Sequence, residues 1–131
     1  MNYKIEFKKV QINSYYGEVI NNVYIIFENN RCKLKEELQS LQQKDRDDII
    51  DLVSKMATIK NFRSPKLKRT LKGYSYGEIK PYGHRVFFFR KCGNNYILFG
   101  YKKKKEVTSE TYKRMEKSKE YYEKQFKKYN R

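Results

Sequence analysis

A chain of 131 residues has room for one sizeable hydrophobic core and not two, because a domain of this size buries only about two thirds of the surface its unfolded chain exposes. Lysine and arginine total 31 against 15 acidic residues, a net charge of +16 that marks polyanions as the first partners to consider. No stretch approaches the roughly 20 apolar residues of a membrane span, Met1-Asn2-Tyr3-Lys4 leads into interrupted polar sequence instead of the apolar core of a secretory signal, and Cys32 and Cys92 lack metal-ligand or C-x-x-C spacing, so an anchored, exported or disulfide-stapled protein is not expected and the cytoplasm is.

Along the chain, residues 1–20 read as an N-terminal extension with a strand-like stretch around Tyr3 to Ile12 that could form a hairpin. The run Asn22-Val-Tyr-Ile-Ile-Phe-Glu28 is apolar, β-branched and aromatic, closed by Asn29-Asn30, and predicts a buried strand. From Arg31 the period changes, and Leu34, Leu38 and Leu41 fall at i, i+4 and i+7, one stripe of a helix. A second helix is expected to begin at Asp45, whose side chain suits the open N–H groups of a first turn, and to carry Ile49, Val53 and Met56 on its apolar stripe as far as Ile59. Residues 61–73 hold Pro65, a closing Gly73 and several basic side chains, and read as a loop with at most a short helix. Three short strands follow, Tyr76 to Lys80, Arg85 to Arg90 and Tyr96 to Tyr101, separated by the turns Pro81-Tyr82-Gly83-His84 and Cys92-Gly93-Asn94-Asn95. After Lys105 the chain returns to helix, capped by Thr108 or Ser109, with Tyr112, Met115, Tyr122, Phe126 and Tyr129 close to one face. Helices gathered on one face of a small antiparallel sheet make an α+β fold, a single domain over residues 1–131.

The charge excess is concentrated. Residues 62–105 hold 13 basic side chains and one acid, Glu78, whereas residues 1–61 are nearly balanced at 10 basic against 9 acidic. Each lysine or arginine near a phosphate releases a condensed counterion, so such a segment points to nucleic acid or the ribosome. A plain solvated lysine face is the competing reading, but it does not explain the near absence of acids. Tyrosines interleaved with the cations, Tyr82 and Tyr101 among them, can stack on unpaired bases while Lys68, Arg69, Lys72, Lys102 and Lys104 meet phosphates, which is how single-stranded RNA is commonly held.

Successive segments of this half, Leu71-Lys72-Gly73, Gly77-Glu78-Ile79-Lys80, Gly83-His84-Arg85-Val86-Phe87-Phe88-Phe89 and Ile97-Leu98-Phe99-Gly100-Tyr101-Lys102-Lys103-Lys104, resemble the strand motifs of RelE/HigB-like toxins, in particular the phage-associated branch. The resemblance covers about residues 22–120. It implies ribosome-dependent mRNA cleavage by attack of an RNA 2′-OH on the adjacent phosphate, without metal or other cofactor, and a cognate antitoxin that masks residues 80–104. On it, Arg85 would clamp the scissile phosphate, Lys80 and Lys103 with Lys104 would hold phosphate or stabilise the leaving oxygen, and His84, the only imidazole, could exchange protons. Glu78 is either the base or a salt-bridge partner. The chain departs from the family where Phe99 stands in place of a frequent histidine, where Thr108-Ser109 replaces a common Thr-Pro, and where lysines replace arginines, keeping charge but losing the planar fork. The alternative is an RNA or ribosome binder without catalysis on the same scaffold. A DNA-binding accessory is weaker, because both helices before residue 60 are nearly neutral.

Overall fold

The computed structural model describes residues 3–12 and 16–129. Among them, six strands form one sheet in the order β1-β2-β6-β5-β4-β3, with β1 (Ile5–Lys9), β2 (Asn22–Glu28), β3 (Leu67–Lys68), β4 (Gly77–Ile79), β5 (His84–Lys91) and β6 (Asn95–Lys103). Three α-helices accompany it, α1 (Lys33–Gln39), α2 (Gln43–Thr58) and α3 (Ser109–Tyr129). The fold is α+β, and no helix among the described residues is long and apolar enough to cross a membrane.

The sheet is mixed, not antiparallel, because β2 and β6 run parallel while every other pair is antiparallel. The helices also divide between its two faces. Val23, Ile25 and Phe27 of β2 with Val86, Phe88, Tyr96 and Leu98 meet α1 and α2 through Leu34, Ile49, Val53 and Met56. Tyr24 and Ile26 with Phe87, Phe89 and Ile97 pack instead with Phe126 and Met115 of α3. This is why β2 and residues 86–89 read as continuous apolar runs: a strand covered on both faces has no solvent side to be polar on. Phe126, fully buried, sits edge-on to Phe7 and Tyr24 at ring separations of 5.0 and 5.3 Å, which ties α3 to the β1–β2 edge.

Local details depart from the sequence reading in four places. Of the N-terminal extension, the strand-like stretch is shorter than Tyr3 to Ile12 and forms β1, which pairs antiparallel with β2, Phe7 opposite Ile26, while residues 1, 2 and 13–15 lie outside the described residues. Helix α2 starts at Gln43, with Gln42 at the cap making no side-chain bond, so Asp45 lies inside the first turn and its carboxylate is used elsewhere. Residues 67 and 68 of the expected loop add a short edge strand to β4, pairing Leu67 with Ile79. Finally, β6 carries a bulge. Phe87 faces Gly100 and Phe88 faces Leu98, so Phe99 has no opposite number. The extra residue reverses the parity of the strand beyond it, and Tyr101 lands on the α2 face with Leu98 instead of opposite to it. Thr108 caps α3 as expected, its hydroxyl accepting from Thr111 N–H while Thr108 N–H bonds the Thr111 hydroxyl.

Candidate nucleic-acid interface

The basic segment covers β3 to β6 and the turns between them. Strand pairing sets Arg85 directly opposite Lys102 and His84 opposite Lys103, while Lys80 follows Ile79, the partner of Val86. With neighbouring strands about 4.8 Å apart, Lys80, Arg85 and Lys102 make a cationic row roughly 10 Å across the end of the sheet. Strand alternation puts Arg85 on the same face as Phe87 and Phe89, the α3 face, and its Nη1 donates to the His84 carbonyl at 2.7 Å. That bond aligns the guanidinium and leaves the rest of its donors free for a planar oxyanion.

At the edge of the row, the β4–β5 turn folds against the residues just past β6. Lys104 N–H donates to the Gly83 carbonyl at 3.0 Å, and Tyr82, Gly83, His84, Lys103, Lys104 and Lys105 enclose a shallow depression of about 360 Å³. Tyr82 is 90% exposed, so its ring is open to stacking, and the three lysines beside it are exposed as well. Lys68 and Lys72 are exposed on the segment before β4, whereas Arg69 turns back to donate to the Phe62 carbonyl at 3.0 Å. The row and the depression bring together most of the residues that the sequence marks as candidates. Lys68, Arg69 and Lys72 stand apart on the β3 edge of the sheet.

His84 and Tyr101 have a different setting from the rest. Both are buried, and His84 Nδ1 lies 2.7 Å from the Tyr101 hydroxyl while Nε2 lies 3.2 Å from Asp45 Oδ2. The chain Asp45–His84–Tyr101 therefore links α2, β5 and β6, with both ring nitrogens engaged. Tyr101 turns its hydroxyl inward and burial raises its proton affinity, so of the two candidate tyrosines Tyr82 is the one with an open face. Glu78 is also buried, and its carboxylate accepts from the Tyr112 hydroxyl of α3 at 3.3 Å. Burial and the neighbouring Glu78 raise the Tyr112 phenol, and the positive charge of Arg85 opposes them, which places all three groups in one electrostatic cluster. The sequence reading misses Tyr112, Lys105 and Asp45 as members of this region. Lys105 ends the run of lysines and is within reach of composition, but the roles of Asp45 and Tyr112 depend on contacts 39 and 34 residues away in sequence.

A second hollow, of about 300 Å³, opens on the other side of Lys102. Strands β2 and β6 pair only from Asn22 to Ile25 and from Asn95 to Leu98, and beyond them the bulged β6 parts from β2. The gap between their carboxyl ends is lined by Glu28, Lys33, Glu37, Lys102, Arg114 and Tyr122, with Gly100 also on its lining. The Tyr122 hydroxyl donates to Glu28 at 2.5 Å. Glu37 is half-buried, and its carboxylate makes no hydrogen bond or ion pair among the described residues, while its backbone carbonyl accepts from the Ser40 hydroxyl. Burial raises its carboxyl, with Lys33 and Lys102 pulling it back down.

Among the described residues no group of three or more histidine, cysteine, aspartate or glutamate side chains is placed to hold a metal ion. A scan against protein-family models, a search of curated proteins and a search of solved structures gave no match.

Proposed function

We propose that this chain is a basic RNA-binding protein of the RelE/HigB-like toxin type, acting on mRNA at the ribosome. The observation that carries the reading is the cationic row Lys80, Arg85, Lys102 continuing into Tyr82 and Lys103 to Lys105, an assembly of phosphate-binding and base-stacking groups at one end of the sheet. In the cleavage reaction the RNA 2′-oxygen attacks the adjacent phosphorus and gives up its proton to solvent water, which returns one to the leaving oxygen. The bond from phosphorus to the 5′ oxygen breaks, and that oxygen takes a proton, leaving a cyclic phosphate and a free 5′-hydroxyl. Arg85 clamps the phosphate as negative charge accumulates on it, and Lys80 and Lys103 with Lys104 stabilise the leaving oxygen. His84 serves as a positioning residue, since its hydrogen bonds to Tyr101 and Asp45 hold the turn that carries Tyr82 and aim the carbonyl that aligns Arg85. A cognate antitoxin covering residues 80–104 would block the row and the depression together.

One observation favours a second reading, a binder without catalysis: the imidazole and the one carboxylate of the basic half, His84 and Glu78, are both buried and hydrogen-bonded. Translation-coupled mRNA cleavage mapped to the nucleotide separates the two. The toxin reading expects cuts in ribosome-bound mRNA that fall by about 100-fold or more in Arg85→Ala, the usual scale for removing one donor to the transition-state charge. Salt-sensitive ribosome or RNA binding with no cuts by the unmodified chain supports the second reading and overturns the first.

A further inference from the structure

The hollow between the parting ends of β2 and β6 has a chemistry that the cationic row does not use. Crevices outside the carboxyl ends of adjacent parallel strands are where open sheets hold ligands, because the backbone there splays and the loops beyond the strands supply side chains from both faces. Here one wall comes from α1 and the other from α3, and about 300 Å³ is at the small end for a ligand pocket, enough for one flat ring system and too little for a paired duplex. Its apolar lining includes Phe99, Met115 and Tyr122. Of its two carboxylates, Glu28 is occupied by the Tyr122 hydroxyl, and Glu37 is the half-buried acceptor with no donor of its own. Lys102 belongs both to this hollow and to the row beside Arg85, and Lys33 and Arg114 add further cations around the opening.

We propose that this crevice receives one unstacked base of an RNA strand whose backbone follows the cationic row, and that Glu37 selects a base presenting an exocyclic amino group. The inference rests on the RNA-binding reading and extends it to a base preference. A carboxylate accepts hydrogen bonds and cannot donate them, so it pairs with the amino group of cytosine and meets the carbonyl of uracil with repulsion at the corresponding position. Lys102 and Arg114 hold the flanking phosphates, so strand binding and base selection are separable.

The test is fluorescence-anisotropy titration of the full chain, with and without Glu37→Gln, against short single-stranded oligocytidylate and oligouridylate at one fixed salt concentration. The unmodified chain is expected to bind the cytidylate about tenfold more tightly. Glu37→Gln abolishes that preference by weakening cytidylate binding, while uridylate binding holds or improves because glutamine can donate to the uracil carbonyl. Thermal melting of Glu37→Gln, at or above the unmodified Tm because a half-buried charge is removed, shows that the variant is folded. Equal affinity for the two oligonucleotides, or an equal change for both in Glu37→Gln, overturns base selection and leaves RNA binding standing. Failure to bind either one, even at low salt, overturns both.

Discussion

At Gly77 the demand of the fold can be read atom by atom. A Cβ built there would lie 2.3 Å from the carbonyl oxygen of Lys68 and 2.4 Å from that of Arg69, both backbone atoms that cannot swing aside. The close pass of the β3 edge over β4 therefore requires a residue without a side chain. Gly77→Ala is expected to lower stability by about 3 kcal/mol in urea denaturation, the upper range for overpacking, and an unchanged midpoint would mean that the β3 edge does not lie there. Nothing next to Gly77 in sequence announces this, since the atoms it must avoid belong to Lys68, at the end of β3, and to Arg69 just past it. Asp45 gives the same lesson from the other side. Three acids close to a helix start make capping the natural expectation, yet its carboxylate reaches His84 Nε2 at 3.2 Å, because docking of α2 on the sheet presents a buried imidazole to it. A buried polar group left without its partner costs about 1–3 kcal/mol, enough to outweigh a local cap.

Among the elements, α3 and β6 show how much local pattern conveys and where it stops. The spacing of Tyr112, Met115, Tyr122 and Phe126 is enough to predict one apolar face on α3, and that face is the one that packs. Which side of the sheet it would take is not contained in the spacing. With Phe126 fully buried against Phe7 and Tyr24, Phe126→Ala is expected to cost about 3–5 kcal/mol by equilibrium denaturation. A loss under about 1 kcal/mol would show that α3 is not docked on the β1–β2 edge. In β6, residues 96–101 predict a strand but not its bulge. Phe99 is one residue too many for the pairing with β5, and Gly100 accommodates it: a Cβ there would come within 3.0 Å of Met115 Sδ. The bulge turns Tyr101 toward His84 and opens the crevice between β6 and β2, so two features of the candidate site depend on one inserted residue.

For the molecule as a whole, Lys80, Arg85 and Lys102 to Lys105 gather at one end of the sheet because β4, β5 and β6 are adjacent and the β4–β5 turn meets the residues just past β6, as the bond from Lys104 to Gly83 records. If Lys80, Arg85, Lys102, Lys103 and Lys104 each meet a phosphate of single-stranded RNA, log K falls with log salt at a slope of about −3.5, at roughly −0.7 per phosphate. Lys103→Ala should flatten that slope by about 0.7 in binding measured from low to physiological salt. A slope near zero would show that the basic segment is a solvated face and nothing more.

The sequence alone determined the α+β composition, nearly all the elements, the apolar faces of the helices and the confinement of charge to residues 62–105, because periodicity, turn residues and charge are properties of neighbours along the chain. Tertiary structure alone decided that β2 lies parallel to β6, that the helices cover both faces of the sheet, that Asp45, His84 and Tyr101 form one buried chain, and that a crevice opens beside Lys102. Each of these joins residues far apart in sequence. Such contacts form only once burial of both sheet faces has overcome the entropy of closing the loops between them, and a reading of neighbours does not weigh that balance.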